Sequence, residues 1–189
     1  MKNSSTMADR DIDVCIKKIA SGDMTALREL YDVLRVPIYK FALSITKSPD
    51  LAEDIAQETF LRIRVYAQTY CPKGKPKAWI FSIVRNLAIS ELRQATKIVD
   101  IDELDDSLIS SVDNVDIDEL SLFDLLNSDE KEIVSLHVLA DLNHSDIAKT
   151  MDMPYEQVRW KYAYAMKKLR KHLTHFEKRE GVWVESEKV

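Results

Sequence analysis

Hydrophobic residues recur at helical spacing along most of the chain. From residue 11 to residue 46 they fall three or four positions apart, and the pattern is interrupted at Gly22-Asp23 and again at Pro37. Such spacing places apolar side chains on one face of an amphipathic helix, and glycine and proline are typical of breaks between helices. We therefore predict helical segments here that are separated at those two points.

A third helix is predicted after Pro49-Asp50, because the proline ends the preceding segment and Asp50 can cap the free amides of the next one. Its apolar residues fall on two sides, with Ala52, Ala56, Phe60 and Ile63 on one side and Leu51, Ile55 and Tyr66 on the other. A helix with this pattern is buried on two sides and exposes one edge. The predicted exposed edge is a narrow stripe of Glu53, Asp54, Gln57, Leu61, Arg64 and Gln68.

Three segments of different character follow. Residues 71–76 read CPKGKP, and two prolines and a glycine so close together predict a positively charged loop. Residues 77–94 are apolar nearly all round their first two turns, which indicates a helix at the centre of the N-terminal module. Residues 97–124 are acidic and serine-rich, and this charge density favours a linker over a packed core.

The last part predicts helices at Ser128–Leu139, from Asn143 to Met151, and from Pro154 to about His175. Asn143 can cap the second of these, and Asp152 tolerates the left-handed backbone that a tight turn requires. Proline in the first turn of a helix loses no useful hydrogen bond. Two helices joined by a short turn of this kind are typical of a helix-turn-helix, here predicted over residues 143–163.

The final helix has a predicted core face and an opposite face suited to DNA. Val158, Tyr162, Ala165 and Leu169 recur at spacings of four, three and four and define the core face. The residues predicted to bind DNA are Gln157, Arg159, Trp160, Lys161, Ala163, Tyr164, Lys167 and Lys171, with Arg170 on the flank. A solvated basic helix is the alternative, but a large exposed tryptophan beside a tyrosine favours a binding partner.

The distribution of charge matters more than its sum. The net charge is −5, which is unusual for a nucleic-acid binder, yet the acids concentrate between residues 100 and 132 and the bases in the last helix and tail. The composition also limits the function. With only three glycines, the chain can form few glycine-rich phosphate-binding loops. Its two cysteines and scattered histidines favour neither a disulfide framework nor a zinc site.

We expect a non-enzymatic protein without a metal or cofactor, because the carboxylates of a solvated linker supply no shaped pocket for acid–base catalysis. No apolar run approaches the roughly 20 residues needed to span a bilayer, and the polar start lacks the apolar segment of a signal peptide. The expected location is the cytoplasm. Taken together, the patterns predict an all-α protein with two helical modules joined by an acidic linker.

Two motifs resemble the bacterial extracytoplasmic-function sigma factors of the sigma-70 class, which direct core RNA polymerase to promoters. Residues 50–70 (DLAEDIAQETFLRIRVYAQTY) and 77–94 (KAWIFSIVRNLAISELRQ) are similar to region 2, and residues 125–173, which include the predicted helix-turn-helix, are similar to region 4. Both motifs in this order are highly specific. The resemblance implies region 2 at 1–96, a linker at 97–124, region 4 at 125–175 and a polar tail at 176–189.

The resemblance assigns roles within region 2. It implies that the stripe docks on the clamp coiled coil of the largest polymerase subunit through Glu53, Asp54, Gln57, Glu58, Leu61 and Arg64. For Glu53 alone, the general preference for acids at a helix start remains the better interpretation. Opening of the −10 element is implied for Lys73, Lys75, Lys77, Trp79, Ser82, Arg85 and Asn86. Core packing is favoured for Trp79 and Ile83, and a structural role stays open for Arg85 and Asn86.

In region 4, the resemblance implies that the final helix reads the −35 element and that the polymerase flap is a further contact. The chain departs from the family at three positions. Asp152 stands where the family usually has glycine, Trp160 where it usually has a small residue, and Tyr164 where it often has arginine. An atypical −35 sequence is therefore expected. The implied partners are core RNA polymerase, promoter DNA and an anti-sigma factor. The competing hypotheses are a stand-alone helix-turn-helix repressor or activator and a protein-interaction adaptor without DNA function. A simple repressor has no use for the region 2 stripe or for a basic strand-holding loop.

Overall fold

The computed structural model describes residues 7–71, 74–99 and 125–180. Within these ranges the chain forms helices and turns with no strand, which confirms the predicted all-α class. The helices are α1 (Asp9–Ala20), α2 (Met24–Thr46), α3 (Pro49–Tyr66), a short 3-10 turn (Ala67–Thr69), α4 (Pro76–Val99), α5 (Ser128–Leu139), α6 (His144–Met151) and α7 (Tyr155–Glu180).

Helices α1 to α4 pack into one bundle, with α2 in contact with each of the other three. The buried positions of the bundle follow the predicted spacing. For example, Ile12, Ile16 and Ile19 of α1 are almost fully buried. Phe41 of α2 and Phe81 of α4 meet at the centre, with ring centroids 5.5 Å apart. Ile55 and Ile63 of α3 are buried in the same core, so apolar contacts fix both α3 and α4, the two helices of the region 2 motif.

Two local predictions in this bundle are wrong. Pro37 does not break the chain but lies inside the continuous helix α2. An interior proline costs about 3 kcal/mol, whereas each large apolar side chain contributes about 1.5–3 kcal/mol when fully buried. Leu34, Ile38 and Phe41 are all buried on either side of it, so tertiary packing outweighs the local preference. Helix α3 is capped by Ser48, whose hydroxyl accepts from the Leu51 amide at 3.4 Å, and Asp50 lies within the first turn.

Helices α5 to α7 form the second group, and the predicted turn chemistry is confirmed. Asn143 accepts a hydrogen bond from the Asp146 amide at 3.0 Å and caps α6. Asp152 adopts the left-handed conformation at φ 52° and ψ 50°, and α7 begins at Tyr155, directly after Pro154. Asn127 also caps α5 through a full capping box with Glu130. This arrangement is the predicted helix-turn-helix.

Two helices extend past the predicted module boundaries. Helix α4 continues to Val99 and α7 continues to Glu180, so each includes a few residues assigned to the linker or the tail. The remaining linker, 100–124, and the end of the tail lie outside the described residues. The boundaries between modules stay predictions.

The two groups of helices pack against each other, which the sequence analysis did not predict. Helix α5 contacts α2, and α6 contacts α4. Ile133, Leu136 and Ile147 of the second group are completely buried in the same core as the residues of the first group. In this structure the first and second groups therefore share one hydrophobic core.

Candidate nucleic-acid interface

The solvent face of α7 carries a stacked aromatic pair. Trp160 is 63% exposed and Tyr164 is 44% exposed, with ring centroids 5.4 Å apart and planes 5° apart. The ammonium of Lys168 lies 4.8 Å from the Tyr164 ring centroid, and it also pairs with Glu130 at 2.7 Å. On the opposite side, Val158 and Ala165 are completely buried. The face predicted from spacing is therefore the exposed face of the helix.

The other predicted residues of α7 divide between this face and its flanks. Those that are exposed are Gln157, Arg159, Ala163, Lys167, Arg170 and Lys171. Arg159 pairs with Glu156 at 3.4 Å, and its guanidinium lies 5.8 Å from the Tyr155 ring centroid. Lys161 points away from this face, because its ammonium pairs with Asp129 of α5 at 2.8 Å and is largely shielded from water.

The stripe predicted on α3 is exposed as expected at Glu53, Asp54, Gln57, Leu61 and Arg64. Gln68 is also exposed, but it lies in the 3-10 turn that follows α3. Leu61, at 56% exposure, is a large apolar side chain in contact with water. Glu58 lies at the edge of the stripe and pairs with Arg62 at 2.8 Å. Tyr66, predicted on a buried side, is instead half exposed at the end of the helix, because α3 gives way there to the 3-10 turn.

A groove lies beside this stripe, between α2 and α3. Its volume is about 360 Å³, and it is lined by Met24, Leu27, Arg28, Tyr31, Asp32 and Phe60. Tyr31 and Phe60 contact each other across it with ring centroids 4.9 Å apart. The spacing of apolar residues gave no sign of this groove, since both helices use the same residue types to fill their shared core.

The predicted −10 residues cluster at the start of α4. Trp79 packs on the core and on Tyr70, with ring centroids 4.7 Å apart, as the packing interpretation expected. Burial, together with a hydrogen bond to Asp13, raises the pKa of the Tyr70 hydroxyl, which therefore stays a donor. Ser82 donates to the Trp79 carbonyl at 2.6 Å, and Asn86 is exposed. Lys73 lies outside the described residues.

The three remaining cations of this cluster are paired with acids of the second group of helices. Lys75 pairs with Asp146, Lys77 with Asp141 at 3.4 Å, and Arg85 with Glu132 at 2.7 Å. Lys77 also lies 3.6 Å from Asp9, and it is buried, contrary to a solvent-exposed phosphate contact. These pairings exist because the two groups pack together, so no spacing along the chain predicts them.

Comparison with known proteins assigns the family. Residues 30–98 match the sequence model of sigma-70 region 2, and residues 122–171 match that of sigma-70 region 4. The chain is 33% identical over 133 residues to the ECF RNA polymerase sigma factor SigM of Bacillus subtilis, and the match covers 66% of this chain and 81% of SigM. The chain belongs to the extracytoplasmic-function sigma factors of the sigma-70 family. This sigma factor therefore functions in promoter-directed transcription initiation.

Other relatives match a smaller part of the chain. SigL of Mycobacterium tuberculosis is 34% identical over 77 residues, which cover 40% of this sigma factor and 44% of SigL. Among solved structures, CnrH in complex with the cytosolic domain of CnrY superimposes with a TM-score of 0.65 at 18% identity, over 87% of this chain and 98% of CnrH. RpoE of Bartonella quintana, bound to the anti-sigma factor NepR, gives 0.64 at 21% identity over 78% of this chain and 96% of RpoE. These two structures show the same fold.

Several residues of this sigma factor escaped the sequence analysis. Val65 is 68% exposed and follows Leu61 by one helical turn, so the same spacing that gave the stripe also indicates it. The acids Glu132, Asp141 and Asp146 carried no signal of a role toward α4. Among the described residues, no helix is long and apolar enough to cross a membrane, and no group of three or more metal-ligating side chains occurs.

Proposed function

We propose that this sigma factor binds core RNA polymerase through the stripe of α3, opens the −10 element with the start of α4, and reads the −35 element with α7. The observation that carries the proposal is the exposed Trp160–Tyr164 pair on the solvent face of a helix-turn-helix. Large aromatic side chains in water are costly unless a partner covers them. Promoter DNA is the partner that suits their position.

The chemistry of the α7 face supports two kinds of DNA contact. The rings of Trp160 and Tyr164 offer apolar surface to thymine methyl groups in the major groove. The exposed ammonium of Lys167, one turn from the aromatic pair, suits phosphate oxygens. Phosphate contacts set the position on the duplex, and base contacts set the sequence preference. Position 164 carries tyrosine where the family often has arginine, which fits a −35 element that is read with few bidentate contacts to guanine.

The α3 stripe has the composition of a protein-binding surface. Leu61 and Val65 form an exposed apolar centre, and Asp54, Gln57 and Arg64 surround it with polar groups. An apolar core with a polar rim is typical of protein interfaces. The adjoining groove extends this surface with Tyr31 and Phe60. We assign the stripe to the polymerase clamp.

Under the same proposal the protein is not an enzyme, because a sigma factor acts by binding. It is cytoplasmic, because the promoters that it binds lie on the chromosome. An anti-sigma factor is a proposed further partner. This assignment is supported by solved relatives of the same fold that are bound to such proteins, CnrH with CnrY and RpoE with NepR.

Reconstitution with purified core polymerase tests the proposal. The full chain is expected to co-elute with core polymerase in gel filtration and to confer initiation on supercoiled genomic DNA. A chain that binds duplex DNA alone and ignores the polymerase would instead be a stand-alone regulator. A chain that binds polymerase but no DNA in any state would be an adaptor, and either result would refute the proposal.

A further inference from the structure

One exposed patch of α7 is apolar although cations flank it. Trp160, Ala163 and Tyr164 are all exposed, and spacings of three and four place them side by side on one face of the helix. Arg159 precedes this apolar patch along the helix and Lys167 follows it, and both are exposed as well. Cations attract the phosphates of DNA, but an apolar patch gains free energy only from an apolar part of the same ligand.

The aromatic rings of the apolar patch are held in place by other side chains. The ammonium of Lys168 lies 4.8 Å from the centroid of the Tyr164 ring and 2.7 Å from a carboxylate oxygen of Glu130. Glu130 is only 1% exposed and belongs to the capping box of α5. The Tyr164 ring in turn stacks on Trp160. A surface that is ordered before binding loses little conformational freedom on binding, so it can respond to a small change in its ligand.

Duplex DNA presents few apolar groups to a helix. In the major groove the bases present hydrogen-bond donors and acceptors, and the apolar group among them is the C5 methyl group of thymine. The second helix of a helix-turn-helix contacts base edges with its N-terminal part. Trp160 and Tyr164 lie in the N-terminal half of α7. The C5 methyl groups are therefore the part of the duplex that fits the apolar patch.

The length of the apolar patch limits how many bases it covers. Residues four positions apart are separated by about 6 Å along a helix, at roughly 1.5 Å per residue. Neighbouring base pairs are about 3.4 Å apart. When α7 lies along the groove, the Trp160 and Tyr164 rings therefore reach two neighbouring base pairs.

We propose that the apolar patch recognises 5-methylpyrimidines in two neighbouring base pairs of the −35 element, by contact with their C5 methyl groups. The inference rests on the proposed role of α7 and deepens it. Thymine and 5-methylcytosine carry the same methyl group on the major-groove edge and differ in their hydrogen-bonding groups. Because the contact is with the methyl group, the apolar patch accepts 5-methylcytosine as well as thymine and discriminates against uracil and unmethylated cytosine.

Four forms of one duplex test the proposal. Core polymerase bound to the full chain first selects its preferred upstream element from a library of random duplexes. That element is then synthesised with thymine, uracil, 5-methylcytosine or cytosine at each thymine position in turn, opposite the matching base. At two neighbouring base pairs, loss of the methyl group is expected to weaken binding about fourfold, both from thymine to uracil and from 5-methylcytosine to cytosine. The same changes between the two promoter elements are the control and should have no effect.

Two variants of α7 separate the methyl contact from general DNA binding. Trp160→Ala is expected to abolish the difference between thymine and uracil at one of the two positions. Lys167→Ala, on the same face, is expected to weaken all four forms alike and to keep that difference, because phosphate contacts do not depend on the base.

Three results would overturn the proposal: a selected element without neighbouring A·T pairs, equal binding of the thymine and uracil forms at every position, or a difference that Trp160→Ala leaves intact. Equal binding in particular would mean that the aromatic pair donates hydrogen bonds to the bases or faces a protein. These results would leave promoter-dependent initiation by the holoenzyme in place. A holoenzyme that selects no upstream element at all would instead refute the proposed function, and this inference with it.

Discussion

Trp160 and Tyr164 stack in parallel on the solvent face of α7, with ring planes 5° apart. Residues four positions apart lie above one another on a helix, so the pair forms a continuous aromatic surface one turn long. The buried Val158 and Ala165 on the opposite side hold this surface outward. The orientation of the pair is thus fixed by the core of region 4.

Substitutions on α7 are expected to separate base contacts from phosphate contacts. Trp160→Ala should relax sequence preference at one position of the −35 element, with a loss of about 1–3 kcal/mol on the preferred sequence. Lys167→Ala should weaken all duplexes alike and reduce the salt slope of binding by about 1. Holoenzyme titrations on a set of duplexes at several salt concentrations measure both. Unchanged selectivity in Trp160→Ala would contradict the assignment of the face.

The α3 stripe predicts a loss of polymerase binding. Leu61→Ala removes the apolar centre and is expected to weaken the complex with core polymerase by about 2 kcal/mol or more, the usual cost at an interface position that matters. Asp54→Lys should weaken it as well. The matched controls are Val14→Ala and Glu29→Lys, which change exposed residues of α1 and α2. Pull-downs in which the stripe variants behave like their controls would refute the assignment.

Much of this architecture is predictable from the chain, because helical spacing and turn chemistry are local properties. The two faces of α7 follow from Val158 and Ala165, and the left-handed Asp152 follows from its place between two helices. Pro37 and Arg85 show where prediction from the sequence fails. Burial of Leu34 and Phe41 overrides the local preference of Pro37, and Arg85 meets Glu132 only because two groups far apart in sequence pack together.

The left-handed Asp152 leads to a prediction about stability. Its φ of 52° is tolerated by aspartate and asparagine but strained in other residues, at a cost of roughly 1–2 kcal/mol. Asp152→Val is therefore expected to lower the free energy of unfolding by about that amount, and Asp152→Asn should leave it unchanged. Denaturant unfolding followed by circular dichroism measures the difference. Equal stability of the two variants would mean that the turn relaxes at no cost.

His144 predicts a dependence of stability on pH. Burial, with smaller effects from His137 and Arg159, lowers its pKa from the ordinary value of 6.5. Because the unfolded chain binds this proton more readily, the helix-turn-helix should lose stability as the pH falls below 6.5 toward the folded-state pKa, and show no effect of this group above it. His144→Asn should make the thermal midpoint of unfolding less dependent on pH between neutral and mildly acidic conditions. A pH profile identical to that of the wild type would exclude this role.

The most direct test of the whole account is transcription by core polymerase reconstituted with this sigma factor on a library of random promoter sequences. The account predicts start sites preceded by two separate sequence preferences, with Trp160→Ala altering only the upstream one and Asn86→Ala only the downstream one. Initiation no higher than that of core polymerase alone, or a single preferred element altered by both substitutions, would contradict it.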